Sequence, residues 1–346
     1  MITLHKSARI IDHKQDDVFL HFTGNIFGIG CSAFSHAAIK RIKDLKQRDE
    51  NKGFILLFSS FKMLLHYIPS IQKNTKVFNL LHQYYPGNLT AISPCEDKRL
   101  SHISVDGKIA FRIPPNNTLR EFIDRIGVPI VSTSINISNE PYCNELDVLH
   151  TKYKDWFDYG LYNPEDTHDL PLPSTVISFD AGLNLIREGS IPFSEITDSF
   201  TKPLIQFVCI GNICRSPMAE IYFKQLIEEK GLPYRTASCG LVNGGIPMSE
   251  NSRIIMEREG YDTEDKHSVQ VDADIVRQSL ILLCMTADIK NNLLTRFPDY
   301  KHKIHTLAEY TGNIEDIFDP YQMDMSHYEK AWKGIKRYAQ LIINNI

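Results

Sequence analysis

A short loop joins a strongly apolar strand to a helix in the second half of the chain, and this junction limits the available folds. Residues 204–210 (LIQFVCI) form the kind of apolar run that is typical of a buried strand. Ser216 and Pro217 then predict an N-cap and a first helical residue, and Gly231 is a typical helix stop. Further apolar strand candidates occur at 279–285 and 303–307. Strands that alternate with helices predict a doubly wound parallel sheet, which binds ligands beyond the carboxyl ends of its strands.

The loop after this strand carries Cys209 and Arg215 in a C-x5-R spacing, with Gly211 and Asn212 between them. Gly and Asn tolerate a positive φ, so successive N–H groups can turn inward and hold an anion. The following helix adds the positive end of its dipole, and the planar fork of Arg215 can grip two phosphoryl oxygens. These surroundings favour the thiolate of Cys209 as a nucleophile aimed at phosphorus. The alternative is a buried strand-end cysteine beside a surface arginine, which the strand–loop–helix context disfavours.

Cys214 lies in the same loop, five positions after Cys209. One interpretation is a reversible disulfide between the two, which would shield the nucleophile from over-oxidation. The other is a small buried thiol that packs under the loop. The sequence favours neither interpretation.

Composition sets the broad class of the protein. Its 346 residues include 38 Lys and Arg against 42 Asp and Glu, a net charge of −4, which excludes a polyanion-coating protein with a large basic excess. No apolar run reaches the ~18 residues of a transmembrane helix, and the start of the chain lacks the apolar core of a signal peptide. Seven cysteines without a C-x2-C pair do not form a disulfide framework. We therefore expect a cytoplasmic protein with free thiols and no membrane partner.

The length allows two domains, each with its own core. Residues 190–203 (SIPFSEITDSFTKP) contain two prolines and several small polar residues without a sustained period, which predicts a domain boundary. We expect one domain in 1–199 and a second in 200–346.

The segment VCIGNICRSPMAE, residues 208–220, resembles the signature loop of low-molecular-weight protein tyrosine phosphatases. The similarity extends from Ile205 to the end of the chain and includes Ser238-Cys239-Gly240, His267 and Asp319-Pro320-Tyr321. The resemblance implies a phosphocysteine intermediate, with Cys209 as nucleophile, Arg215 as transition-state clamp and Asp319 as general acid. It implies no metal and no cofactor for this reaction, because the arginine and the backbone N–H groups stabilise the charge.

The same resemblance implies which residues form the phosphate-binding loop. These are Ile210, Gly211, Asn212, Ile213, Cys214 and Ser216. Asn212 would shape the loop, and Ser216 would hydrogen-bond the thiolate.

Tyrosine-directed family members are similar to this chain in having an aliphatic residue at Ile213, where phosphoarginine phosphatases tend to have threonine. Tyr321 can stack on an aryl leaving group, so both features favour a tyrosine-phosphorylated protein as substrate. Arsenate reductases form a third branch, which the absence of a nearby redox cysteine pair disfavours.

The first part of the chain is similar to the YrdC-type threonylcarbamoyl-AMP synthases. The similarity is carried, in family order, by Phe27-Gly28-Ile29-Gly30-Cys31, Lys46-Gln47-Arg48 with Lys52-Gly53, Tyr85-Pro86-Gly87, 132–138 (STSINIS), Ser174-Thr175-Val176 and Arg187-Glu188-Gly189. It implies an open twisted α/β fold with a basic cavity that takes ATP, bicarbonate and threonine to make the donor for a tRNA modification. The residues implied to contact phosphates, carboxylate or nucleotide are Lys46, Arg48, Lys52, Thr133, Ser134, Asn136, Ser138 and Arg187.

This part also departs from that family pattern. Residues 22–25 read Phe-Thr-Gly-Asn where the family has Pro-Thr-Glu-Thr, Asn88 replaces a proline, and Ser138 is followed by Asn139 rather than glycine. These departures fall at the substrate end of the cavity more than at the nucleotide end. Three alternatives stay open: a bifunctional enzyme that also makes threonylcarbamoyl-AMP, an N-terminal domain that only senses nucleotide or RNA, and a phosphoarginine phosphatase. The oligomeric state is not predicted.

Overall fold

The computed structural model of the chain contains two compact units, residues 1–197 and 198–346. It describes residues 4–5, 12–47, 53–137, 140–163, 172–242, 244–264 and 266–346. Among the described residues, no helix has the length and the apolar character needed to cross a membrane.

The first unit is built on a sheet of short strands. The strands are β1 (Leu4–His5), β2 (Phe19–Phe22), β3 (Phe27–Ser32), β4 (Ile55–Leu57), β5 (Leu89–Pro94), β6 (Lys108–Arg112), β7 (Ile130–Ser134), β8 (Tyr159–Leu161), β9 (Thr175–Ser178) and β10 (Asn184–Arg187). The helices are α1 (His36–Leu45), α2 (Phe61–Tyr67), α3 (Thr75–Tyr84), α4 (Asn117–Ile126) and α5 (Leu146–Lys152). A further helix, α6 (Phe193–Thr201), contains the limit between the two units in the sequence. Single 3₁₀ segments lie at Pro69–Lys73 and Lys98–Ile103.

These strands form one mixed sheet in the order β1-β8-β2-β3-β7-β4-β6-β5-β9-β10. β3 and β7 pair antiparallel, with Gly28 opposite Ser134 and Gly30 opposite Ser132. A core of aromatic and aliphatic side chains packs Phe19 of β2 against Phe122 of α4. The helix α4 can take this place because Asn116 caps its first turn and Gly127 ends it at a positive φ of 71°.

The second unit alternates strands and helices. The strands are β11 (Leu204–Cys209), β12 (Arg235–Gly240), β13 (Ser279–Cys284) and β14 (Ile304–Thr306). The helices are α7 (Arg215–Lys230), α8 (Glu250–Arg258), α9 (Ala273–Gln278), α10 (Ala287–Arg296), α11 (Leu307–Tyr310) and α12 (Met325–Ile343), with a 3₁₀ segment at Pro298–Lys303. Phe207 of β11 and Phe223 of α7 meet edge to face in the core, and Trp332 of α12 packs edge to face on Tyr222.

The four strands of this unit are parallel and lie in the order β12-β11-β13-β14. The chain therefore leaves β11 toward one side, through β12, and returns to the other side through β13, which is the doubly wound arrangement expected from the sequence. In such a sheet the ligand crevice lies at the carboxyl ends of the strands where the winding direction changes. Cys209 ends β11 at that point.

The predicted boundary segment 190–203 contains α6 (Phe193–Thr201), and the limit between the two units, at 197/198, falls within it. One local prediction was wrong. Ser216 is not the N-cap of α7, since the helix begins at Arg215 and Cys214 holds the N-cap position without a side-chain bond. The Ser216 hydroxyl instead lies 3.0 Å from the Cys209 sulfur. Gly231 ends this helix as expected, at a φ of 62°.

Candidate active site

The loop between β11 and α7 winds tightly around the end of the strand. Asn212 has a φ of 52°, the left-handed conformation that Asn adopts more readily than most residues, whereas Gly211 lies outside that region. The loop rests on Gly240 at the end of β12. A Cβ added to Gly240 would lie 2.6 Å from Ile210 O and 2.9 Å from Asn212 N. Because Gly240 has no Cβ, the loop between β11 and α7 can pack directly against the end of β12.

The sulfur of Cys209 lies at the bottom of this loop and accepts two hydrogen bonds. The Asn212 N–H donates at 3.1 Å and the Ser216 hydroxyl at 3.0 Å. Cys209 is buried, and its sulfur contacts Ser216 in the first turn of α7, at the positive end of the helix dipole. The sulfur therefore lies among hydrogen-bond donors at the floor of the loop.

The side chain of Asn212 fixes the shape of the loop. Its Nδ2 group donates to Ser216 Oγ at 2.8 Å and to Ser238 Oγ at 2.7 Å. Its Oδ1 atom accepts from the Val269 N–H at 2.8 Å. Hydrogen bonds to three neighbours thus hold Asn212 in its left-handed conformation. They keep the inward-facing amides of the loop in place before any ligand binds.

The hydrogen bonds continue away from the sulfur into α7. Ser238 Oγ donates to Glu220 Oε2 at 2.6 Å, and the Lys266 ammonium pairs with the same carboxylate oxygen. Both members of this pair are about four-fifths buried. Sequence reasoning missed Glu220 and Lys266. The spacing of Glu220 could have indicated its role, because it lies about one helical turn beyond Ser216 and so faces the same side of α7.

Arg215 is brought to this loop together with Asp319, which lies 104 positions away in sequence. The guanidinium is 2% exposed and its Nη2 atom lies 2.5 Å from Asp319 Oδ2, while the carboxylate is 40% exposed. Nη1 donates to the carbonyl of Ile317 at 3.1 Å. The carboxylate and the guanidinium therefore face the same space above Cys209.

That space is a cavity of about 250 Å³ with a narrow charged floor and an apolar rim. Arg215 and Asp319 are the charged side chains among its described lining residues. The rim residues each expose about half of their surface, and they are Ile210, Val242, Ile246 and Tyr321. Ile213 and Gly211 complete the wall on the loop side. An apolar mouth over an anion-binding floor suits a phosphate ester of an aromatic group.

Cys214 lies under the loop as a free thiol. Its sulfur contacts Ser249 Oγ at 3.3 Å and Tyr328 Oη at 3.5 Å. Burial raises the pKa of Cys214, which keeps this thiol protonated. These contacts fit the packing interpretation of Cys214, and the disulfide interpretation stays a prediction.

The first unit holds a second cavity, of about 280 Å³. Thr133, Ser134 and Arg187 line it, and their contact with a nucleotide stays a prediction. Lys46 and Asn136 are not among the described lining residues. The Lys46 ammonium is buried and donates to the carbonyls of Ser134 and Asn136 and to Asn136 Oδ1, so it braces the end of β7. Arg48, Lys52 and Ser138 lie outside the described residues.

Arg112 is the residue of this second cavity that sequence reasoning missed. Its guanidinium is buried and donates to Asn25 Oδ1 at 3.2 Å, to Asn88 Oδ1 at 2.5 Å and to the carbonyls of Gly87 and Thr23. Burial lowers the pKa of Arg112 to about 10. All of these acceptors are neutral, and the described lining residues include no carboxylate. Arg112 and Arg187 therefore bring two positive charges to a cavity whose described lining contains no carboxylate.

The departure from the family pattern at residues 22–25 has a structural counterpart. Gly24 adopts a φ of 101°, and a Cβ there would lie 2.4 Å from Pro115 Cγ. The glycine position therefore cannot carry an acidic side chain in this conformation. Asn25 lies next to it, and its neutral Oδ1 atom accepts a hydrogen bond from Arg112.

Two family models match separate parts of the chain. A family model named Sua5/YciO/YrdC and described as "Telomere recombination" matches residues 14–189. The model "Low molecular weight phosphotyrosine protein phosphatase" matches residues 204–346. The threonylcarbamoyl-AMP synthase of Vibrio parahaemolyticus is 34% identical over 131 residues, covering 38% of this chain and 71% of that protein. The one from Klebsiella pneumoniae is 28% identical over 163 residues, covering 45% and 86%.

Solved structures similar to this chain include two phosphatases. The low-molecular-weight protein tyrosine phosphatase from T. tengcongensis is 28% identical, with a TM-score of 0.41, covering 42% of this chain and 100% of that one. The YwlE arginine phosphatase from Geobacillus stearothermophilus is 29% identical, with a TM-score of 0.38, covering 41% and 92%. The chain belongs to the Sua5/YciO/YrdC family through its first unit, and its second unit is a low-molecular-weight phosphotyrosine protein phosphatase domain.

Proposed function

We propose that the phosphatase domain hydrolyses phosphotyrosine in proteins through a phosphocysteine formed on Cys209. The observation that supports this most directly is the position of the Cys209 sulfur. It accepts two hydrogen bonds on the floor of a cavity that Arg215 and Asp319 also line. A nucleophile, a cationic clamp and a carboxylate thus share one space, which is the set that phosphoryl transfer to sulfur requires.

In the first step the Cys209 thiolate attacks phosphorus and the bond from phosphorus to the ester oxygen breaks. Protonated Asp319 gives its proton to the departing oxygen, which leaves as a phenol. The charge on the equatorial oxygens is stabilised by the loop N–H groups and by Arg215. The product of this step is phosphocysteine together with an Asp319 carboxylate.

In the second step a water molecule replaces the phenol. The Asp319 carboxylate accepts a proton from this water as its oxygen attacks phosphorus. The sulfur–phosphorus bond breaks, inorganic phosphate leaves and the thiolate is restored. Asp319 is protonated again, so the cycle closes without a net change in the enzyme.

The test is the replacement of the sulfur. Cys209→Ser is expected to abolish turnover of para-nitrophenyl phosphate, and rapid acid quenching of the wild type is expected to trap a phosphopeptide that contains Cys209. Cys143→Ser, in the first unit, is the matched control and is expected to keep full turnover. Normal turnover by Cys209→Ser would falsify the mechanism.

The substrate class rests on the rim. Ile210, Ile246 and Tyr321 present apolar surface to the leaving group, and no described rim residue carries a charge that would recognise a guanidinium. We therefore favour phosphotyrosine over phosphoarginine. A panel of phosphotyrosine, phosphoarginine and phosphoserine peptides tests this, and a higher kcat/KM on phosphoarginine would replace our assignment with the alternative.

A second candidate function belongs to the first unit, because Arg112 and Arg187 face a hydroxyl-lined cavity that has no carboxylate among its described lining residues. These residues fit the phosphates of ATP, whose cleavage would supply the adenylyl group for threonylcarbamoyl-AMP. We propose that the cavity binds ATP and that threonine and bicarbonate are its further substrates. Pyrophosphate release that requires both threonine and bicarbonate supports synthesis. ATP binding without release identifies the nucleotide-sensor alternative.

A further inference from the structure

The guanidinium of Arg215 uses its donors unevenly. Nη1 donates to Ile317 O at 3.1 Å and Nη2 to Asp319 Oδ2 at 2.5 Å. Nε is buried, and no acceptor for it exists among the described residues. A buried donor without an acceptor costs free energy, so Nε is the group with most to gain from an anion.

The edge formed by Nε and Nη2 is one that an arginine offers to a tetrahedral oxyanion, which accepts two parallel hydrogen bonds there. Asp319 contacts Nη2 through Oδ2, while its Oδ1 atom accepts the Tyr321 N–H at 3.3 Å. The carboxylate thus occupies Nη2 and leaves Nε without an acceptor among the described residues. Being part of the same chain, it also acts at a high effective concentration.

We propose that Asp319 determines which anions reach Arg215, by competing with them for the guanidinium. This role rests on the proposed phosphatase function and adds to the proton transfer assigned to Asp319 above. A phosphoryl dianion displaces the carboxylate, because it accepts from Nε, from Nη2 and from the loop amides together. A free carboxylate offers no more than Asp319 already does, so it does not displace it. The exchange breaks and forms ion pairs only, with no covalent step.

The competition predicts that removal of the Asp319 charge strengthens oxyanion binding while it slows turnover. The experiment measures the dissociation constant of tungstate, a tetrahedral dianion, by calorimetry on the full chain. Asp319→Asn is expected to bind tungstate about fivefold more tightly than the wild type, which corresponds to a partly exposed ion pair of about 1 kcal/mol. Excess acetate is expected to weaken tungstate binding to Asp319→Asn and not to the wild type.

The matched control is Asp316→Asn, three positions earlier in the same segment. Asp316 accepts the Ala287 N–H rather than a donor of Arg215, so its removal takes away a nearby charge without the competition. Tungstate affinity is expected to change less than twofold. An equal gain in both variants would show simple charge repulsion and overturn the proposal, as would an unchanged affinity in Asp319→Asn. A merely structural role for Asp319 would weaken binding and turnover together, and that result also overturns it.

Arg215→Met distinguishes a failure of the proposed phosphatase mechanism from a failure of the competition alone. If tungstate binds this variant as well as the wild type, the loop is not the oxyanion site and the proposed phosphatase mechanism fails. If tungstate binding is lost in Arg215→Met but Asp319→Asn gains nothing, only the competition is wrong.

Discussion

Ser216 Oγ lies 3.0 Å from the Cys209 sulfur and receives a hydrogen bond from Asn212 Nδ2 at 2.8 Å. The hydroxyl has two acceptors within reach, the sulfur at 3.0 Å and the Cys239 carbonyl at 3.4 Å, and the contact with the sulfur is the shorter. This contact links the nucleophile to the side-chain network that continues through Ser238 and Glu220.

Ser216→Ala is expected to reduce the reactivity of Cys209 about tenfold, because a hydrogen bond to a charged group contributes about 1.5–3 kcal/mol. The measurement is the rate of alkylation by iodoacetate near neutral pH, followed by mass spectrometry of the Cys209 peptide. Ser279→Ala loses one partly buried hydrogen bond to Ile275 O at the opposite end of the sheet and serves as the control. Equal alkylation of Ser216→Ala and the wild type would contradict the assignment.

Glu220→Gln is expected to lower the free energy of unfolding by about 1–3 kcal/mol, because it leaves the partly buried Lys266 ammonium without its carboxylate. Urea unfolding followed through Trp332 fluorescence measures this. The exposed pair Arg253–Glu257 provides the comparison, and Glu257→Gln is expected to cost less than about 1 kcal/mol. A larger loss at Glu257 than at Glu220 would argue against a structural role for the buried pair.

Asp319→Asn is expected to slow aryl phosphates with poor leaving groups most, because these depend on protonation of the departing oxygen. The measurement is kcat across a series of substituted phenyl phosphates, and the slope of its logarithm against leaving-group acidity is expected to steepen in the variant. Equal slowing across the series would argue against an acid role for Asp319.

Protonation of His21 makes the first unit sensitive to acid. Burial, followed by repulsion from Arg112, lowers the pKa of His21 to about 3, below its ordinary value near 6.5. The stabilising contribution is complete above pH ~6.5, and it is lost as pH falls toward 3, at about 1.4 kcal/mol per pH unit. Unfolding followed through Trp156, in a Trp332→Phe background, is expected to show this slope and to lose it in His21→Gln. His66→Gln, on the exposed side of α2, is expected to keep it.

Asn25→Asp is expected to weaken ATP binding by the first unit at least about tenfold, because it places a carboxylate on the Arg112 guanidinium. Calorimetry on the full chain measures the affinity. Asn117→Asp, at the exposed start of α4, adds the same charge and is expected to leave the affinity within about twofold. Unchanged ATP binding in Asn25→Asp would mean that Arg112 does not contribute to the site.

The parts that sequence reasoning predicted are those set by local pattern. The strand β11, the loop and the helix α7 follow from an apolar run, small loop residues and a helix stop within 28 positions, from Leu204 to Gly231. Asp319 required the family resemblance, because 104 positions separate it from Arg215. The roles of Cys209, Arg215 and Asp319 stay predictions until the experiments above are done.

The missed residues share a physical cause. Glu220 and Lys266 are typical of a solvated surface in sequence, and only the approach of α7 to the segment after α8 makes them partners. Arg112 ends a strand and looks like an ordinary surface residue in sequence, but two distant segments, at Thr23 and at Gly87-Asn88, accept hydrogen bonds from its guanidinium. Ser216 looks like a helix N-cap in sequence. In the structure its hydroxyl donates to the Cys209 sulfur instead of capping the backbone of α7.

The hydrogen bonds of Asn212 fix the loop around Cys209 independently of the residues that form the mouth of the cavity. The Asn212 side chain is tied to Ser216, Ser238 and Val269, whereas the side chains of Val242 and Ile246 form the cavity mouth without entering that network. Evolution or design can therefore exchange the residues at the mouth, and with them the accepted partner, while the catalytic geometry beneath is inherited unchanged.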